Sequence, residues 1–157
     1  KGSGIRESEL AGLDLSDIHL DGDVSYVDLK NMPYVMVLPK GYQREEEKRM
    51  VYLTKSAVDA LKEWLEYRET LKNIIDKDAV FINRNGKRTT EDNIKAIFKN
   101  YGNGVTPHMI RHWYASIMAS KGNLAFVQQQ LGHTSMMTTI NNYANGSVGM
   151  KETLMKM

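Results

Sequence analysis

The segment TPHMIRHWYAS, residues 106–116, places two histidines and an arginine at the spacing of one helix face. With about 100° of rotation per residue, His108, Arg111 and His112 lie on the same side of such a helix. A solvated charged face is the ordinary reading of this pattern, but histidine is an uncommon choice for solubility. Metal binding and phosphate binding are the two chemistries that could use the face. The opposite, apolar side of the helix is formed by Ile110, Trp113 and Ile117.

A metal site would use His108 and His112, four residues apart, with His133 as a third ligand. Arg111 lies between the two histidines, and a fixed cation beside a metal ion is unfavourable unless an anionic substrate bridges them. No carboxylate lies in the adjacent turn to act as a base. A metal-dependent phosphodiesterase therefore stays as a less favoured alternative.

A phosphate site needs fewer assumptions. The guanidinium of Arg111 offers a planar pair of donors to two oxygens, and the imidazole of His108 offers a donor or a proton. The N-terminus of the helix adds positive potential. We therefore interpret this face first as a phosphate site.

Reaction at a phosphate also requires a nucleophile and more positive charge. Downstream, LGHTSMMTTINNY contains His133 and Tyr143, and Gly132 allows the chain to turn so that His133 can face the site. Near the start of the chain, SGIRESEL contains Arg6 at the beginning of a predicted helix. These segments complete a set of groups that could act on one phosphate.

In this order, the residues resemble the motifs of the tyrosine recombinase (phage integrase) family. The matching positions run from the first arginine to about Ser147, and HMIRHWYAS and LGHTSMMTT are nearly intact. Each motif alone is weak, but the ordered set is specific. The motif residues are Arg6, His108, Arg111, Leu131, Gly132, His133 and Tyr143.

The resemblance implies cleavage and rejoining of DNA strands by transesterification, with no metal or nucleotide cofactor. Tyr143 would attack a backbone phosphate to form a 3′-phosphotyrosyl bond and release a 5′-hydroxyl. Arg6 and Arg111 would hold the non-bridging oxygens. His108 would help to deprotonate Tyr143, and His133 would donate to the same phosphate.

The family takes a lysine from a β-hairpin as the acid for the leaving oxygen. In VLPKGYQREEEKRMVYL, residues 37–53, Lys40 lies at the end of the first hairpin strand. We choose Lys40 over Lys48, which could reach in from the returning strand. Glu9 resembles the family's acidic residue shortly after the first arginine, and we assign it a supporting salt bridge.

Basic residues in the turn NRNGKR predict contacts with the DNA backbone, although a solvated turn is an equal alternative. These residues are Arg84, Lys87 and Arg88. A DNA-binding module that keeps the fold without catalysis is the main alternative to a recombinase.

Composition limits the class of protein. The 157 residues carry a formal charge of +2, are 41% hydrophobic and contain no cysteine, which fits one globular domain without disulfides. No apolar run is long enough to span a membrane. We expect a prokaryotic, cytoplasmic, nucleoid-associated protein whose partners are double-stranded DNA and further protomers, with a tetramer in the synapse.

The predicted fold is α+β and mainly α, a helical catalytic domain with a small antiparallel sheet of about three strands near the N-terminus. We expect a helix over Glu7 to Leu15, strands over Tyr34 to Leu38 and Met50 to Leu53, and helices after caps at Thr90 and Thr106. Trp64, Trp113 and Tyr114 are predicted to be core residues.

Residues 1–157 are predicted to be one catalytic domain, with the family's N-terminal core-binding domain absent from this chain. Residues 148–157 form a tail that would pack on itself or on another protomer.

Overall fold

The computed structural model describes residues 3–22, 31–43, 45–120 and 124–132. Its elements, in chain order, are α1 (Glu7–Ala11), β1 (Ile18–His19), β2 (Tyr34–Val37), β3 (Arg49–Tyr52), α2 (Lys55–Glu69), α3 (Glu91–Tyr101), α4 (Pro107–Ser120) and α5 (Leu124–Leu131). The predicted mainly helical fold with a small antiparallel sheet is confirmed. The last predicted helix, over residues 136–145, lies outside the described residues. None of the described helices has the length and apolar character needed to cross a bilayer.

The sheet has the antiparallel order β1-β2-β3, with Val35 opposite both Ile18 and Val51. Because side chains alternate between the two faces of a strand, Val35, Val37 and Val51 all point to one face. That face is fully buried and packs against Val58 of α2. The hydrophobic strands therefore fix the sheet against the first long helix.

Helix α2 begins after Thr54, whose side chain accepts a hydrogen bond from the N–H of Ala57. Trp64 is partly buried against this core, and its Nε1 donates to the carbonyl of Val80 at 2.9 Å. Arg68, which is buried, donates from Nε to the carbonyl of Ala79 at 3.0 Å and from Nη2 to that of Lys77 at 2.8 Å. These bonds attach the segment after α2 to the helix.

Helix α1 is shorter than predicted and ends at Ala11 rather than at Leu15. The N–H of Leu15 donates to the carbonyl of Asp78 at 2.8 Å, and the N–H of Asp14 donates to the carboxylate of Asp17. These backbone N–H groups therefore bind a distant carbonyl and a nearby side chain in place of the helical acceptors that the local sequence pattern predicts.

The C-terminal helices form a second core in which Tyr114, Ala119, Val127 and Leu131 are buried together. The predicted cap of α4 is confirmed, since the hydroxyl of Thr106 accepts from the N–H of Met109 at 3.2 Å. Thr90 caps α3 in the same way.

The side-chain amide of Gln130 joins this second core to the sheet. Its oxygen accepts from the N–H of Tyr52 at 3.1 Å, and its nitrogen donates to the carbonyl of Tyr52 at 2.6 Å. Gln130 is fully buried, so α5 is held to β3 by a paired polar contact.

Replacing Arg68 with methionine should destabilise the domain by about 2–4 kcal/mol, because buried carbonyls lose their donor. Urea unfolding followed by circular dichroism measures the change. Lys72→Met, at an exposed position just after α2, should stay within about 0.5 kcal/mol of wild type. Equal stability of the two variants would contradict the structural role of Arg68.

Candidate active site at an arginine cluster

Glu9 is the centre of the polar cluster at the start of α1. Its side chain has no exposed surface, and it accepts from the N–H of Arg6 at 2.8 Å and from Arg6 Nη1 at 3.1 Å. A buried carboxylate requires such partners, because leaving it unpaired costs several kcal/mol. Glu9 thus forms ion pairs with Arg6 and Arg49. Arg6 keeps 33% of its side chain exposed, so its guanidinium can also reach a ligand at the surface.

Arg111 approaches the same cluster from α4 and is only 8% exposed. Its Nη1 donates to the carbonyl of Gly4 and its Nη2 to the carbonyl of Leu131. Gly4 has a φ of +65°, and a Cβ there would lie 2.6 Å from the ring of Tyr114. Glycine is therefore needed for the chain before Arg6 to come this close to α4.

The orientation of α4 corrects the prediction made from its sequence. Trp113 and Ile117, placed on the buried side, are 43% and 56% exposed, whereas Arg111 is buried beside Tyr114. The prediction for Tyr114 is confirmed and that for Trp113 is wrong. Arg111 points into the domain because two backbone carbonyls accept hydrogen bonds from its guanidinium. The hydrophobicity pattern of the helix could not reveal those acceptors.

Arg49 is a member of the cluster that the sequence analysis did not select. Its Nη2 donates to both carboxylate oxygens of Glu9, at 2.9 Å each, and its Nη1 donates to the carbonyl of Gln130 at 2.5 Å. Its Nε is buried and has no hydrogen-bond partner in the described part of the chain. Arg49 follows three glutamates and a lysine, so its sequence context suggested only surface ion pairs.

The cluster carries more positive than negative charge. Burial, together with the nearby charges of Arg6 and Arg49, lowers the pKa of Arg111 to about 10, while Glu9 acts in the opposite direction. A phosphate bound beside these groups would offset their mutual repulsion. The electrostatics therefore favour an anion at this place.

The end of α5 is held by the same arginines. Arg111 donates to the carbonyl of Leu131, and Arg49 donates to that of Gln130. Gly132 follows with a φ of +60°, and a Cβ there would lie 2.5 Å from Arg49 Nε. The next residue is His133, which, like Tyr143, lies outside the described residues.

The two histidines of α4 lie side by side, with ring centroids 4.7 Å apart in an edge-to-face arrangement. His108 is exposed at the start of the helix. Partial burial lowers the pKa of His112, and the neighbouring His108 and Arg111 lower it further. Within the described ranges, no group of three or more His, Asp or Glu side chains is placed to hold a metal ion. The third ligand of the metal hypothesis, His133, is outside those ranges.

The two candidate lysines have different surroundings. Lys48 is almost buried, and its Nζ contacts Asp17 at 2.7 Å and Glu45 at 2.8 Å. Burial acts to lower the pKa of Lys48, but hydrogen bonds to both carboxylates outweigh it and the net shift is upward. Lys40 is exposed in the turn after β2. Lys48 is thus engaged within the domain, whereas Lys40 is exposed to solvent.

The predicted DNA-contacting turn separates into two kinds of residue. Arg84 and Lys87 are exposed. Arg88 forms ion pairs with Asp14 and with Asp76, the latter at 3.1 Å, and also donates to the carbonyl of Leu13 at 3.0 Å. These contacts assign Arg88 a role in the packing of the domain.

A mainly helical α+β domain that gathers Arg6 and Arg111 beside a buried glutamate has the architecture of a tyrosine recombinase catalytic domain. The chain belongs to the phage integrase family, whose sequence profile matches residues 1–149. The tyrosine recombinase XerC of Neisseria gonorrhoeae is 37% identical to it over 145 residues, which are 88% of this chain and 42% of that protein. The chain therefore spans less than half the length of this relative.

Solved structures show the same likeness. The crystal structure of XerA recombinase aligns with 99% of this chain and 54% of its own, with a TM-score of 0.75 and 25% identity. XerH site-specific recombinase, in a pre-cleavage complex with difH substrate, aligns with 90% of this chain and 39% of its own, with a TM-score of 0.63 and 26% identity.

His112→Gln should remove part of the acid sensitivity of the domain. Because folding lowers the pKa of His112 below its usual 6.5, the unfolded chain binds the proton more tightly, and stability is lost as pH falls below about 6.5. Urea unfolding between about pH 5 and 7.5 should give a flatter profile for this variant than for wild type. His19→Gln, at an exposed histidine of β1, is the control. Identical profiles for wild type and His112→Gln would contradict the assignment.

Proposed function

We propose that this chain is the catalytic domain of a site-specific DNA recombinase that cuts and rejoins strands through a 3′-phosphotyrosyl intermediate. The observation that carries the proposal is the meeting of Arg6 and Arg111, distant in the chain, around the buried carboxylate of Glu9. Two guanidinium groups at one place match the two non-bridging oxygens of a phosphodiester. Family membership supports the same chemistry.

In this mechanism the Oη of Tyr143 attacks the phosphorus, and the bond from phosphorus to the 5′-oxygen breaks. The covalent link conserves the energy of the phosphodiester, so a 5′-hydroxyl can later attack it and release the tyrosine without ATP. Arg6 and Arg111 stabilise the charge that develops on the non-bridging oxygens in both steps. His133 donates a hydrogen bond to the same phosphate.

Two proton transfers accompany each cleavage. His108, one helical turn before Arg111, receives the proton of Tyr143, whose ordinary pKa of about 10 keeps it protonated at neutral pH. Lys40 gives a proton to the departing 5′-oxygen. The engagement of Lys48 with Asp17 supports this division of roles.

The substrate we propose is double-stranded DNA, with Arg84 and Lys87 contacting its backbone. The XerH structures, solved with difH substrate before and after cleavage, support DNA as the partner. We further propose that protomers assemble on the DNA as a tetramer, and that the reaction integrates or excises a mobile element.

Tyr143→Phe should abolish covalent adduct formation while leaving DNA binding intact, because only the attacking oxygen is removed. The assay incubates the full protein with a nicked duplex that traps the cleaved strand, followed by denaturing electrophoresis. Adduct should form equally with and without a chelator. Adduct yield unaffected by the substitution would eliminate Tyr143 as nucleophile, and a chelator-sensitive reaction would favour the metal-dependent alternative. Specific DNA binding without any adduct in the wild type would favour a non-catalytic binding module.

Lys40→Ala should slow cleavage about 100-fold or more, the usual contribution of a general acid. A duplex whose bridging 5′-oxygen is replaced by sulfur should restore the rate, since a thiolate leaves without a proton. Lys48→Met should instead cost about 3 kcal/mol of stability, because Asp17 stays buried without its cation. If Lys48→Met rather than Lys40→Ala is rescued by the sulfur substrate, the two assignments must be exchanged.

A further inference from the structure

We propose that Arg49 is a positioning residue for strand cleavage, which holds Arg6 in place through Glu9 and fixes the start of the segment that leads to His133. This inference rests on the function proposed above and adds a residue to its site. It comes from the contacts of one guanidinium group that joins β3, α1 and α5.

The two terminal nitrogens of Arg49 bind in different directions. Nη2 donates to both oxygens of Glu9, the carboxylate that also accepts from Arg6. Nη1 donates to the carbonyls of Gln130 and, at 3.4 Å, Gln129, in the last turn of α5. The helix dipole places partial negative charge at this end, so a cation there is favourable. The rigid, planar guanidinium of Arg49 therefore sets the distance between Arg6 and the end of α5.

Arg49 itself is shielded from a ligand at the surface. Its Nη1 and Nη2 each make two hydrogen bonds within the domain, and its Nε is buried, where a side chain at position 132 would collide with it. Arg6, with 33% of its side chain exposed, is the group of this pair that can meet a phosphate. Arg111 is also buried, but each of its terminal nitrogens makes one hydrogen bond to the described residues, which leaves N–H groups for a phosphate. Arg49 therefore acts on the reaction through its neighbours.

Lysine cannot reproduce this arrangement. An ammonium group presents its donors from one atom, whereas the planar fork of arginine offers nitrogens on two sides. Arg49→Lys keeps the charge and can pair with Glu9 or with the carbonyl of Gln130, but it cannot hold both in the observed geometry. The variant thus separates the charge of Arg49 from its bridging geometry.

The test compares cleavage rate and DNA affinity in the full protein. For Arg49→Lys at saturating protein, adduct formation on the nicked duplex should be about 10-fold to 100-fold slower, as expected for a misplaced reacting group. Its affinity for the duplex should stay within about threefold, because binding of a long duplex rests on many backbone contacts that do not depend on Arg49. Thermal unfolding of each variant measures the purely structural part of the effect.

Arg68→Lys is the matched control. Arg68 is also buried and donates to backbone carbonyls, but it lies between α2 and the segment that follows it. It should lower stability without slowing adduct formation under conditions where both variants are folded. If the two lysine variants slow cleavage to the same extent, or if Arg49→Lys cleaves within about twofold of wild type, Arg49 has no positioning role.

Binding of inorganic phosphate gives a second readout that does not require cleavage. Titration at constant ionic strength, followed by the Nε–H signals of the arginines in NMR spectra, should show binding that Arg49→Lys weakens at least about fivefold and Arg68→Lys leaves unchanged. Such a result in a protein that forms no Tyr143-dependent adduct would reject the recombinase function and support the positioning role. If Arg49→Lys forms the adduct at the wild-type rate and binds phosphate as tightly as wild type, the recombinase function stands and the positioning role is rejected. If the wild type neither forms the adduct nor binds phosphate, both proposals are rejected.

Discussion

A carboxylate with no exposed surface sets the arrangement of the whole site. Arg6 and Arg49 both donate to the buried Glu9, and a buried charge left unpaired would cost several kcal/mol. Its partners come from the loop before α1 and from β3. The position of the sheet relative to α1 is therefore tied to the same interaction that orients Arg6. Folding of the domain therefore also brings these arginines together.

The cluster also carries a cost that a ligand can relieve. Burial and the neighbouring arginines lower the pKa of Arg111 to about 10, so the surroundings disfavour its charged form. The domain keeps the charge because Gly4 and Leu131 supply carbonyl acceptors. A bound phosphate would add attraction to groups already in place. Charge held ready before the substrate arrives is the arrangement that stabilises a transition state most effectively.

The sequence predicted what local rules control. The strands, the caps at Thr90 and Thr106 and the order of the helices follow from alternation and capping, which act over a few residues. The burial of Arg111 and the exposure of Trp113 were not predictable, because they depend on the carbonyls of Gly4 and Leu131, which come from distant segments of the chain. Motif resemblance selected Arg6, Glu9 and Arg111 but not Arg49, whose role exists only through tertiary contacts.

The end of α5 is held by the arginine cluster. Gly132 has no side chain at the place occupied by Arg49, and its left-handed backbone turns the chain immediately before His133. The carbonyls of Gln130 and Leu131 are bound by arginines from β3 and α4. Whatever path residues 133–143 take, its starting point is fixed relative to Arg6 and Arg111. The nucleophile that we propose, Tyr143, lies in this segment, so a change to the arginine cluster would disturb both the arginines and the point from which the segment starts.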